Sequence, residues 1–173
     1  WAAHAALYHR YNLKRDLKDN KLCGVFTHQC YFAHGALTRG FDDTFLVPHS
    51  RYGHIDINKI NACEELVVLA GSERVGAYLL KNKSGSQVFI TGHPEYDADS
   101  LKAEYERDLQ KSPDAPKPEN YFPDDDASKQ PSKTWQSHAF LLFSNWLNYY
   151  VYQTTPYDIN LVSQDVRTNN DAE

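Results

Sequence analysis

A chain of 173 residues, 41% hydrophobic and 24% charged, is long enough for one domain with a buried core. Its net charge of −5 offers no electrostatic footprint for nucleic acid or an anionic membrane surface. No apolar run approaches the ~20 residues needed to cross a bilayer, and no basic segment followed by an apolar stretch marks a signal peptide, so the expected location is cytoplasmic.

The chain opens on Trp1-Ala2-Ala3-His4-Ala5-Ala6-Leu7, a helix-favouring run with nothing ahead to cap it, and it contains no methionine, even at position 1. Both features read as a fragment of a longer protein. The helix is expected over 1–11, with Leu7, Tyr8 and Tyr11 on its apolar side. The charged stretch 14–20 reads as a loop and Gly24-Val25-Phe26-Thr27 as a short strand. A second apolar run, Thr44-Phe45-Leu46-Val47, is read as ending at Pro48, with His49-Ser50-Arg51 beyond it.

Three further strands are expected over 66–70, 77–80 and 88–91, the last two joined as a hairpin by the polar turn 81–86. A helix capped by Asp97 or Asp99 runs to about Gln110, its inner face marked by Leu101, Tyr105 and Leu109. Five of the eight prolines fall in 111–133, a length that suggests either a functional cover or disorder. Residues 137–153 repeat apolar positions at helical spacing, their aromatics read as core, and Pro156 stops them. One domain is expected over 1–159 and a polar, frayed tail over 160–173. Alternating strands and helices favour an α/β architecture, an open sheet with flanking helices.

Chemistry concentrates at Thr91-Gly92-His93-Pro94-Glu95, where a buried strand enters a stiff bend. A histidine serves as general base near neutral pH, and a carboxylate on its Nδ1–H fixes its tautomer. His93 and Glu95 can supply two members of a nucleophile–His–acid triad; equally, they can be a satisfied loop histidine beside a surface glutamate. Cys23, Cys30 and Cys63 form no C-x-x-C pair and none occupies a strand-to-helix elbow, so they read as buried or half-buried free thiols. Cys23 is placed at a strand start, Cys30 in a connection and Cys63 in a helix. Lys21, Ser50 and Arg107 can hold a polar or anionic group, or can be ordinary surface residues. The eight histidines match no strong metal template, and no metal is expected.

These segments, together with Arg39-Gly40-Phe41-Asp42-Asp43, Pro48-His49-Ser50-Arg51, Asn120-Tyr121-Phe122-Pro123 and Phe143-Ser144-Asn145-Trp146-Leu147-Asn148-Tyr149-Tyr150, resemble the homoserine O-succinyltransferase family from residue 1 to about 159. The resemblance implies a flavodoxin-like fold of the class I glutamine amidotransferase type, with its N-terminal part outside the chain. It implies acyl transfer from succinyl-CoA or acetyl-CoA to homoserine in methionine biosynthesis, through a thioester on a cysteine just ahead of Trp1. By the same resemblance His93 is the general base and Glu95 its partner, the Trp1 N–H contributes to the oxyanion hole, and Lys21, Ser50 and Arg107 contact substrate. Acyl-CoA is then a co-substrate, no resident cofactor is implied, and a homodimer is left open. The fragment by itself is expected to be inactive. His4 and Thr27 depart from the family's usual glutamine and glutamate, as does the stretch 12–19. Two alternatives stand beside this reading: a glutaminase domain on the same scaffold, and a non-catalytic relative that has lost its nucleophile.

Overall fold

In the computed structural model, residues 1–156 and 158 are described. A five-stranded sheet in the order β2-β1-β3-β4-β5 is built from β1 (Asp16–Cys30), β2 (Thr44–His54), β3 (Leu66–Ser72), β4 (Gly76–Asn82) and β5 (Val88–Ile90). Every pair of neighbouring strands is antiparallel. Helices α1 (Ala2–Tyr11), α2 (Ile57–Asn61), α3 (Ser100–Lys111) and α4 (Gln136–Trp146) flank this open sheet. Among the described residues no helix is long and apolar enough to cross a membrane. The tail expected over 160–173 lies outside the described residues.

The expected β3, β4 and β5 form at their positions, and the polar turn closes the β4–β5 hairpin with Lys81 opposite Val88. Leu79, Leu80 and Ala70 are fully enclosed there, and each leucine so buried contributes about 2 kcal/mol. Tyr11 of α1 meets Phe89 edge to face at 6.0 Å and its hydroxyl donates to Gln87 Oε1 at 2.7 Å, which lays α1 along β5.

The β1–β2 ribbon corrects the reading of that region. β1 is a 15-residue strand, and the charged stretch read as a loop is its first half, pairing Asp16 with His54 and Leu17 with Gly53 before a bulge. Those residues are exposed, so the ladder forms without an apolar stripe to announce it. β2 does not end at Pro48 but runs six residues further, to His54. It is an edge strand of the described sheet, where a missing N–H costs no ladder bond. Cys30 closes β1 rather than sitting in a connection, and Cys63 lies in the turn beyond α2.

The stretch after α3 is a pinned cover. Val25 N–H donates to Glu119 O and Glu119 N–H to Cys23 O, both at 2.9 Å, which joins it to β1. Gly24, at φ +148°, permits this approach, because a Cβ there would collide with the Glu119 backbone. Asp99 precedes α3 without a side-chain cap. Its carboxylate takes Gln130 Nε2 at 2.6 Å, while Asp97 takes Lys133 at 3.0 Å, so both hold the cover instead. Trp135, fully buried, donates its indole N–H to Tyr96 O at 3.0 Å.

The aromatics of α4, which the sequence suggested were core, are exposed. Leu142 and Asn145 are its buried residues, and Asn145 donates to Leu37 O and Arg39 O at 3.1 and 2.9 Å. Phe140, Phe143 and Leu147 follow a second stripe at i, i+3, i+7 and are exposed. The expected helix continues past α4 as the π-helical turn Leu147–Tyr152.

Candidate active site

β5 ends at Ile90, and the chain turns through Gly92 into His93-Pro94-Glu95 beside the outer edge of β2. The turn is fixed from three sides. His93 N–H donates to Pro48 O at 2.8 Å, His93 O accepts from Tyr96 N–H at 3.2 Å, and Thr91 N–H is bonded to Tyr78 O at 3.0 Å. Pro94 between them holds the bend stiff.

His93 and Glu95 are brought together at this bend. His93 Nδ1 lies 2.8 Å from Glu95 Oε1, and the His93 ring stacks on Tyr96 with centroids 4.2 Å apart and planes 17° from parallel. A carboxylate accepts only, so Nδ1 carries the proton and Nε2 is left bare in the neutral ring. The His93 side chain is 27% exposed and that of Glu95 56%. Partial burial alone would raise the Glu95 carboxyl, but the His93 hydrogen bond and its own backbone outweigh this and hold it below its ordinary value.

Tyr96 leads from this dyad to a second group. Its hydroxyl donates to Glu104 Oε1 at 2.5 Å, and Glu104 Oε2 accepts from Lys21 Nζ at 3.0 Å and from the Ser50 hydroxyl. Lys21 is also bonded to Asp108 Oδ2 at 2.7 Å. Lys21 and Ser50 come from β1 and β2, while Glu104 and Asp108 are one turn apart on α3. Burial pulls the Lys21 ammonium down, but the hydrogen bonds it donates to Asp108 and Glu104 win and raise it. Burial likewise works to raise Glu104, and Ser50, Tyr96 and Lys21 together hold it lowered and ionised. These two bonds use two of the three N–H groups of Lys21.

Arg107 projects from the same helix, 58% exposed, its Nε 3.8 Å from Asp108 Oδ1. Lys21 and Ser50 thus meet on Glu104, Arg107 is linked to them only through Asp108, and Tyr96 ties Glu104 to His93. Trp1, 81% exposed, begins α1 without a side-chain cap. His4 of the same first turn and His93 both help to hold the buried His49 imidazole below its ordinary value, after burial, His28 and Arg51.

Glu104 was not singled out from the sequence, although it is the carboxylate on which three donors converge. Its only local signal is the Glu104–Asp108 spacing on one helix face; Lys21 lies 83 residues away in the chain. Cys23, opposite Ser50 in the ribbon, is buried, and desolvation pushes its thiol up to about 11. It is a protonated core thiol rather than a nucleophile. His4 is buried and Thr27 exposed. Among the described residues no cluster of His, Cys, Asp and Glu is arranged to hold a metal ion.

The profile of the family described as homoserine O-succinyltransferase matches residues 1–157. A homoserine O-succinyltransferase of Pseudoalteromonas translucida is 90% identical over 173 residues, which is all of this chain and 55% of that protein. A homoserine O-acetyltransferase of Petrotoga mobilis is 49% identical over 166 residues, 96% of this chain and 54% of the relative. The chain therefore spans about half the length of these curated relatives. A solved structure of a glutamine amidotransferase from Thermotoga maritima superposes with a TM-score of 0.53 at 15% identity, covering 78% of this chain and 53% of that one. That likeness concerns the fold alone, and it is the class I glutamine amidotransferase-like fold expected from the sequence. Since the matched profile takes in the His93 bend, both strands of the ribbon and α3, the chain belongs to the homoserine O-succinyltransferase family.

Proposed function

We propose that this chain is the catalytic part of a cytoplasmic homoserine O-acyltransferase of methionine biosynthesis. In this reading it moves an acyl group from an acyl-CoA to the homoserine hydroxyl through a cysteine thioester. The observation that carries the reading is the 2.8 Å His93–Glu95 bond at a stiff bend, within a chain whose family match runs through that bend.

The steps follow ping-pong logic. A cysteine thiolate ahead of Trp1 attacks the acyl-CoA carbonyl, and the bond from that carbonyl carbon to the CoA sulfur breaks. CoA leaves as its thiol, taking a proton from His93. His93 Nε2, bare while Glu95 holds the Nδ1 proton, then removes the proton of the homoserine hydroxyl. The oxygen attacks the thioester carbonyl, the ester forms, and the cysteine thiolate is released beside the His93 imidazolium. Glu95 stabilises that cation, and the Trp1 N–H supports the oxyanion of both tetrahedral intermediates. Arg107 holds the homoserine carboxylate by its two-pronged guanidinium. Lys21 and Ser50, already on Glu104, supply further donors. No resident cofactor enters. The relatives carry succinyl- and acetyltransferase names alike, so the donor is assigned as an acyl-CoA.

The test is His93→Ala in the complete enzyme, assayed with homoserine and either succinyl-CoA or acetyl-CoA. Loss of the general base is expected to lower kcat/KM by about 10²- to 10⁴-fold with the fold retained. Near-normal turnover would remove His93 from the mechanism. Hydrolysis of glutamine without acyl transfer would replace the reading with a glutaminase.

A further inference from the structure

The bend that carries His93 is set down on a buried structure that takes no part in the mechanism above. Gly92 lies against Val47 and His49: a Cβ there would come within 2.7 Å of Val47 Cγ1 and 3.0 Å of His49 Cε1 and Nε2. With the His93 N–H on Pro48 O, the bend is held by three successive residues of β2. Below Gly92, His49 and His28 are both fully enclosed. Their rings are 8° from parallel with centroids 5.0 Å apart, and their Nε2 atoms lie 3.0 Å from each other.

Two nitrogens at that distance require one proton between them. His28 Nδ1 lies 2.9 Å from Phe26 O, which only accepts, so His28 carries its proton on Nδ1 and the Nε2 of the neutral ring accepts. His49 must then donate from Nε2, which leaves its Nδ1 bare, and the Arg51 Nε–H reaches that nitrogen from 3.5 Å. For neutral rings the order Arg51, His49, His28, Phe26 O is the one consistent solution. We infer that the His28–His49 pair is a positioning device for His93, a proton-ordered neutral floor against which the Gly92–His93 bend is held in its catalytic setting. The inference rests on the reading of His93 as general base.

The surroundings favour neutrality. Burial, aided by the Arg51 charge, outweighs the opposing hydrogen bond to Phe26 O and brings His28 down to about 4. Burial, His28, Arg51, His93 and His4 hold His49 well below its ordinary value. The groups facing the pair are Arg51 from its own strand, His4 from α1, His93 from the bend and the Tyr78 ring from β4. Burial raises the Tyr78 hydroxyl, so it too stays uncharged. The floor therefore adds no charge that would oppose the imidazolium formed on His93 during turnover.

The experiment uses the complete enzyme. Nitrogen-15 NMR near neutral pH is expected to show His28 protonated on Nδ1 and His49 on Nε2; the reverse tautomers, or a cationic ring, would overturn the inference. His49→Gln keeps a donor for His28, whereas His49→Phe keeps the ring volume and loses the donor. Because a misplacement of about 1 Å costs on the order of a hundredfold, His49→Phe is expected to lower kcat at least ~10-fold with the homoserine KM little changed. His49→Gln should remain within ~3-fold of wild type, since it restores the bond. If His93→Ala is inactive while His49→Phe matches wild type in kcat, the positioning role is wrong and the general base stands. If His93→Ala is active, both fall. Should His49→Phe fail to fold, Gly92→Ala replaces it: its methyl presses on Val47 and His49 and is expected to lower kcat at unchanged homoserine KM, and an unchanged kcat overturns the inference.

Discussion

The two faces of the β1–β2 ribbon hold their polar groups in opposite states. Toward α3, Lys21, Glu104 and Asp108 are charged, paired and partly open to water. On the other face His28 and His49 are sealed from water and neutral. Removing an ion from water costs several kcal/mol, whereas a neutral imidazole with each nitrogen satisfied costs far less. Charge is therefore found on the side of the ribbon open to water, and directional but uncharged bonds on the side sealed from it.

Acid separates the two faces most strongly. His28 and His4 have folded-state pKa values of about 4 against an ordinary 6.5. Between those values the unfolded chain binds protons that the folded chain refuses, so stability falls as pH drops below 6.5 and the loss is complete below about 4, on the order of 3 kcal/mol for each. On the α3 face Glu104 and Asp108 are lowered in the fold. Their contribution is present above the ordinary carboxylate range and is lost as pH falls through their depressed values. Added salt screens the charged pairs more than the buried rings. Unfolding midpoints from pH 7 to pH 3, at low and high salt, are expected to show a salt-insensitive upper loss and a salt-sensitive lower one. A flat curve between 6.5 and 4 would break the comparison.

Within the charged face the two carboxylates are unequal. Glu104→Ala leaves Lys21, Ser50 and Tyr96 without their shared acceptor and is expected to cost about 3 kcal/mol. Asp108→Ala removes one bond to a lysine that Glu104 still neutralises, and is expected to cost about 1 kcal/mol or less. Urea unfolding of the two variants measures the difference; equal costs would mean that Glu104 is not the hub its three donors suggest.

The β4–β5 hairpin and the His93–Glu95 pair were legible in the sequence because their signals are local. Each strand is an apolar run, and the dyad's members are two residues apart. The first half of β1 was not legible, since both its faces are exposed and a strand with no buried side has no period to read. Pro48 misled because whether a strand is edge or central depends on its neighbours in space. The His28–His49 pair was hidden for a similar reason: its register is set by the ribbon pairing of His28 with Phe45 and Gly24 with His49. The exposed α4 aromatics show the limit of helical spacing, which identifies a stripe but not which stripe is covered.

Arg107 gives the smallest expected effect on the fold and the sharpest check on what the charged face is for. It is 58% exposed, and its nearest carboxylate is 3.8 Å away and already bonded to Lys21. Arg107→Lys retains the charge and loses the planar fork that grips a carboxylate with two parallel bonds. Stability should stay within about 0.5 kcal/mol of wild type, because an exposed cation far from ideal pairing contributes little. If Arg107 holds the homoserine carboxylate, its replacement should raise the homoserine KM about 10-fold while the KM for acyl-CoA changes little. Steady-state kinetics with each substrate varied in turn separates the two. An unchanged homoserine KM would make Arg107 an ordinary surface cation, leaving Lys21 and Ser50 as the ligand contacts of that face.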